Sequence, residues 1–142
     1  MNQTSKALRG RILFVEDDQE TLNLVGMMLG LSGYEAISAS TVKDGLKLAK
    51  DGKFDLILLD WYFRDGTGLE LCRTIRSFDS DTPIFFYTGV ALEPKLKNAQ
   101  VAGAQGFLVK PIDFDKLLDT IAEYGLSRDS SGKQNTDSQQ GL

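Results

Sequence analysis

Hydrophobic positions along this chain fall into two alternating patterns, short unbroken runs and longer stretches at helical spacing. The first run, Arg11 to Val15, stops at three acids, Glu16, Asp17 and Asp18. A run of this kind reads as a strand covered on both faces, the habit of parallel sheets. From Gln19 to Leu31 the residues Leu22, Val25, Met28 and Leu29 keep helical spacing, and Ser32-Gly33 supplies a stop. Tyr34 to Ala39 is a second strand candidate. Thr41 can then cap a helix carrying Val42, Leu46, Leu48 and Ala49, which Asp51-Gly52 breaks. The run Leu56 to Leu59 ends in Asp60, and Gly66 and Gly68 close a short loop before a helix from Gly68 to Phe78 with Leu69, Cys72 and Ile75 on one face. Ile84 to Tyr87 is a fourth strand, ending at Thr88-Gly89. Pro94 suits the first turn of a helix holding Leu96, Ala99 and Val101, and Gly103 is placed to end it. Gly106 to Val109 is a fifth strand, ending in Lys110-Pro111. Asp113 can cap a last helix whose stripe of Phe114, Leu117, Leu118 and Ile121 ends near Gly125.

Strict alternation of strand and helix implies an α/β fold, a doubly wound five-stranded parallel sheet with five helices, because right-handed crossovers put helices on both faces. The expected organisation is a flexible N-terminal segment over 1–10, one folded domain over 11–126, and a disordered tail or linker over 127–142, which is rich in Ser, Gln and Gly. At 142 residues the chain suits one domain with a substantial core. Sixteen basic and 20 acidic residues give a net charge of -4 with no basic cluster, which disfavours direct nucleic-acid binding. Histidine is absent, which excludes histidine-based acid-base catalysis and histidine metal sites. The single cysteine, Cys72, sits among apolar residues and reads as a buried thiol. No apolar run is long enough to cross a bilayer and the N-terminus lacks the apolar segment of a secretory signal, so a cytoplasmic protein is expected.

Ligands of doubly wound sheets bind outside the carboxyl ends of the strands. Here those ends carry Glu16, Asp17 and Asp18, then Asp60, Thr88 and Lys110. Taken singly each has a bland reading: Asp60 and Thr88 as turn residues, Asp18 as a helix cap, Lys110 as a surface charge. Taken together, carboxylates this close repel one another unless a cation sits among them or some are protonated. A hard divalent ion with oxygen ligands, Mg²⁺ first, is the natural candidate. A carboxylate beside it can attack a phosphoryl group, and a lysine and a hydroxyl can neutralise the phosphoryl oxygens.

With those residues in that order, the chain resembles the receiver domain of two-component response regulators from about Arg11 to Tyr124. The resemblance implies Asp60 as phosphoacceptor and Glu16, Asp17, Asp60 and the Tyr62 backbone carbonyl as holders of the metal. It implies Thr88 and Lys110 as phosphoryl-binding groups, and Thr88 with Phe107 as the switch that alters the surface of helix 4, strand 5 and helix 5. The bond before Pro111 is expected to be cis. Tyr62 and Val90 fall where side chains flank the water that hydrolyses the aspartyl phosphate; valine cannot hydrogen-bond that water and the tyrosine ring is large enough to occlude its approach, which implies slow self-dephosphorylation. The implied partners are a histidine kinase or histidine phosphotransfer protein and a downstream protein or effector domain, with no membrane. Such a domain catalyses only its own phosphorylation and dephosphorylation. Departures from the family pattern are Arg64 in place of a common proline, the bulk of Trp61 and Tyr62, and Gly89 where alanine is common. Gln105-Gly106 stands where an acidic pair is common in dimerising members, so a monomer or weak homodimer is expected. Two rivals are a receiver-like binding module without phosphorylation and a magnesium-dependent aspartyl phosphatase. The latter places a second acid two residues after its nucleophile, where this chain has Tyr62.

Overall fold

The computed structural model describes residues 8–89 and 93–129. Five parallel strands form the main sheet: β1 (Gly10–Val15), β2 (Tyr34–Ala39), β3 (Leu56–Asp60), β4 (Ile84–Thr88) and β5 (Gly106–Val109), in the spatial order β2-β1-β3-β4-β5. Helices α1 (Gln19–Leu31), α2 (Val42–Asp51), α3 (Gly68–Arg76), α4 (Glu93–Ala102) and α5 (Phe114–Asp129) connect and follow them. The doubly wound sheet expected from the alternation is what the chain forms. Among the described residues no helix is long and apolar enough to cross a membrane.

Side-chain alternation along each strand explains why the strands are apolar throughout. Leu13, Val15, Ile57, Leu59, Ile84 and Phe86 face one way, into a core closed by Ala49, Leu71, Cys72, Ile75 and Ala99 of α2, α3 and α4. Ile12, Phe14, Leu56, Leu58, Phe85 and Tyr87 face the other, against Leu22, Val25 and Leu29 of α1 and Leu117 and Ile121 of α5.

Local signals set the helix limits. Asp18 caps α1 by accepting from the Thr21 N–H at 3.0 Å, and Thr41 caps α2 by accepting from the Asp44 N–H at 3.0 Å. Asp113 accepts from the Lys116 N–H at 3.1 Å at the start of α5. Gly33 and Gly103 take positive φ just past α1 and α4, as a stop requires.

Three features differ from the sequence reading. The loop after Asp60 contains a two-residue antiparallel ladder pairing Tyr62 with Thr67 and Phe63 with Gly66. Helix α3 stops at Arg76 rather than Phe78, its end closed by the Ser77 and Phe78 N–H groups donating to the Thr74 and Ile75 carbonyls. Gly125 does not end α5, which continues to Asp129 and so runs three residues into the stretch read as a tail beginning at residue 127. Gly125 has none of the positive φ that makes glycine a helix stop; it is buried against Asp55 instead. The N-terminal segment before residue 8, the chain after residue 129, and Val90 lie outside the described residues.

Candidate functional site

The order β2-β1-β3 places the reversal of winding between β1 and β3, where the acids emerge. Register sets the spacing. Val15 pairs with Leu59, so the next residues, Glu16 and Asp60, leave the sheet side by side. Asp60 pairs with Tyr87 and Thr88 with Val109, which brings Thr88 and Lys110 to the same edge. The Thr88 carbonyl accepts from the Lys110 N–H at 2.8 Å and ties those two strand ends together.

Carboxylate oxygens of Glu16, Asp17 and Asp60 all lie within 4.8 Å of one another. Glu16 and Asp60 are buried, Asp17 exposed. Asp60 Oδ1 accepts from the Trp61 N–H at 2.8 Å and lies 3.2 Å from Lys110 Nζ. The same ammonium lies 3.4 Å from Glu16 Oε1 and 4.9 Å from the centre of the Tyr87 ring. Glu16 Oε2 accepts from the Asp18 N–H at 3.0 Å, whereas Oε1, fully buried, accepts no hydrogen bond among the described residues.

Burial pushes the Glu16 carboxyl up to about 7, the Asp18 N–H pulling back and the Asp60 charge adding to the rise. For Lys110 burial works downward, but Asp60 and Glu16 more than offset it and hold the ammonium above its usual value. The donor set therefore suits a hard divalent cation: three clustered carboxylates, one with a buried oxygen that has no hydrogen bond among the described residues and the Lys110 ammonium 3.4 Å away. Asp18 is not in the cluster. Its side chain accepts from both the N–H and the hydroxyl of Thr21, and those bonds hold its carboxyl below the ordinary range.

Of the other expected site residues, Thr88 is buried at the end of β4 and the bond before Pro111 is cis. Phe107 lies outside the acidic cluster. It is half-buried, 6.2 Å from the Trp61 ring centre in a stacked arrangement and 5.8 Å from Phe86. Tyr62 is 62% exposed.

Three further residues support the site and were not visible as such in the sequence. Gly68, read as closing the loop and opening the helix, starts α3 hard against the acceptor: its N–H donates to the Trp61 carbonyl at 2.7 Å, and a Cβ there would overlap the Asp60 carbonyl oxygen. Asp65 reaches from the loop after Asp60 to the Val42 and Lys43 N–H groups, at 2.9 and 3.1 Å, and fastens that loop to the start of α2. Lys95 of α4 sets its ammonium 5.0 Å from the ring centres of both Trp61 and Tyr62. Spacing in the sequence carries no trace of the last two contacts.

Comparison with known proteins agrees with this geometry. A family model described as the response regulator receiver domain matches residues 12–122. The CAI-1 autoinducer sensor kinase/phosphatase CqsS of Vibrio cholerae is 34% identical over 117 residues, covering 80% of this chain and 17% of CqsS. A response regulator receiver domain protein of Methanospirillum hungatei has the same fold with a TM-score of 0.82 at 28% identity, covering 89% of this chain and 99% of that one. The receiver domain of the sensor histidine kinase PA1611 of Pseudomonas aeruginosa, solved with a magnesium ion in its active-site cleft, gives a TM-score of 0.76 at 25% identity, covering 82% and 97%. This chain spans about half the length of some curated relatives and less than a fifth of others.

Proposed function

The chain belongs to the response regulator receiver domains, and from that membership we propose that Asp60 takes a phosphoryl group from a phosphohistidine of a histidine kinase or histidine phosphotransfer protein. An Asp60 carboxylate oxygen attacks phosphorus in line with the departing imidazole. The oxygen–phosphorus bond forms as the phosphorus–nitrogen bond breaks, and the imidazole leaves with its electron pair and takes up a proton.

Glu16, Asp17, Asp60 and the Tyr62 carbonyl would hold Mg²⁺. When bound, the ion supplies the positive charge that offsets the acidic cluster and the incoming phosphoryl group. Lys110, already 3.2 Å from Asp60, neutralises a second part of that charge, and the Thr88 hydroxyl donates to a phosphoryl oxygen. Tyr62 and Val90 restrict the approach of hydrolytic water, so self-dephosphorylation is slow. The phosphorylated state is read at α4, β5 and α5 by a downstream protein or effector domain. The chain acts in the cytoplasm as a monomer or weak homodimer and turns over no external substrate.

One observation carries the reading: a carboxylate at the end of β3 is clustered with two further acids, and a lysine ammonium bridges it to one of them, at the point where the sheet reverses its winding. Acetyl phosphate should raise the intact mass by one phosphoryl group only when Mg²⁺ is present, and Asp60→Ala protein should gain nothing. An equal gain by Asp60→Ala would refute the assignment. No gain by the unaltered protein would leave the unphosphorylated binding module as the better account.

A further inference from the structure

Tyr62 is a large side chain left mostly in solvent, 62% exposed, two residues after the acceptor. Trp61, its neighbour, points the other way: 6% exposed, it packs 4.8 Å from Phe86 and 6.2 Å from Phe107. Lys95 in the first turns of α4 joins the two. Its ammonium is 5.0 Å from each ring centre, within the range where a cation is attracted to an aromatic face. The charge thus bridges a ring fixed in the core and a ring that has the freedom to move.

We propose that Lys95 is a positioning residue for the acceptor loop: by pairing with Trp61 and Tyr62 together it limits the rotamers open to the Tyr62 ring and so sets the lifetime of the aspartyl phosphate. The inference rests on the phosphoacceptor reading above and adds to it a residue of α4, an element outside the acidic cluster.

The physical case has three parts. Tyr62 lies in a two-residue ladder, so its backbone is fixed by pairing with Thr67 while its ring is not. An unrestrained surface tyrosine samples several rotamers, some of which clear the path of water to phosphorus. Lys95 supplies a restraint from the far side of the loop, and because Trp61 is itself immobilised by Phe86 and Phe107, the restraint has a firm base. Trp61 also donates its backbone N–H to Asp60 Oδ1, so the residue whose ring anchors the clamp is tied through its main chain to the acceptor carboxylate.

The charge and the ring are each necessary, which separates this role from plain packing. Lys95→Met keeps most of the side chain and removes the charge; Lys95→Arg keeps a cation able to lie on an aromatic face. The experiment loads each protein with acetyl phosphate and Mg²⁺, removes excess donor, and follows loss of the phosphoryl mass with time. Lys95→Met should lose phosphate about 3- to 10-fold faster than the unaltered protein, the range that a weakened cation–aromatic pair allows. Lys95→Arg should keep the original rate to within about twofold. In a Tyr62→Leu background, Lys95→Met should change nothing further.

The inference is overturned if Lys95→Met loses phosphate at the original rate or cannot be loaded, if Lys95→Arg is as fast as Lys95→Met, or if the acceleration persists without the Tyr62 ring. Failure of the unaltered protein to gain mass would overturn the phosphoacceptor reading itself. A normal gain with an unchanged Lys95→Met rate would overturn only the role of Lys95.

Discussion

The Asp60 carboxylate is oriented through one oxygen, Oδ1, which meets both a backbone donor and an ammonium. That preorganisation extends to a residue with no side chain. Because α3 begins directly beneath the Asp60 carbonyl, a methyl group at position 68 would strike that oxygen and also meet Phe86 at 3.0 Å. Neither neighbour can give way: one is backbone, the other a fully buried ring. Gly68→Ala should therefore destabilise the domain by about 1–3 kcal/mol, as forced overpacking does, and slow phosphorylation by displacing Asp60. Urea unfolding and the initial rate of mass gain from acetyl phosphate check both, and a variant with unchanged midpoint and rate would refute the claim. The sequence showed the residues proposed to react but not this support. Asp60, Thr88 and Lys110 are legible because each breaks an apolar run at a strand end. The demand on Gly68 is a distance between two pieces of backbone, and the place of Lys95 depends on how α4 meets the loop after β3; neither leaves a periodic mark.

Among the elements, those with both a cap and a period were legible from residue types alone. Helix α2, with Thr41 before it and Gly52 after it, occupies the span its signals delimit. The ladder after Asp60 escaped because two residues a side are too few to show alternation, and α5 ran past Gly125 because that glycine keeps a negative φ within the helix and packs against Asp55. The start of α3 carries a consequence of its own. Thr67 accepts from the Glu70 N–H at 3.1 Å and Glu70 accepts from the Thr67 N–H at 3.3 Å, a reciprocal cap that fixes where the helix begins. That cap adjoins Gly68 and pairs across the ladder with Tyr62, so it also anchors the acceptor loop. Thr67→Ala should cost about 1 kcal/mol, with Thr67→Ser restoring most of it. A urea midpoint in Thr67→Ala equal to that of the unaltered protein would show that the cap contributes nothing.

For the molecule as a whole, the proposed phosphorylation would have a packed route through the sheet to a distant surface. The two cores are separated by the strands, and α4 packs into one while α5 packs into the other. Strand β5 touches both, with Phe107 against the first and Leu108 in the second. Phe107 stacks on Trp61, whose N–H bonds the acceptor, and Val109 pairs with Thr88. A phosphoryl group drawing in the Thr88 hydroxyl and altering the bonds to Asp60 Oδ1 thus acts on β5 from two sides. Gln105, just before β5, is committed within the chain: its side-chain oxygen accepts from the Ile84 N–H at 2.7 Å and from Arg76 at 3.1 Å. On the proposed reading the change at β5 would be a shift between two populations, and moving one from 1:99 to 99:1 would require the phosphoryl group to favour the second by about 5.5 kcal/mol. Amide hydrogen exchange should therefore change on phosphorylation in α4, in β5 around Phe107 and at the start of α5, as well as beside Asp60. Lys95→Met should weaken the response in α4 while leaving that beside Asp60. Exchange altered only at residues 16–18, 60–62 and 88–89 would mean that the charge stays local and that α4 and β5 do not report it.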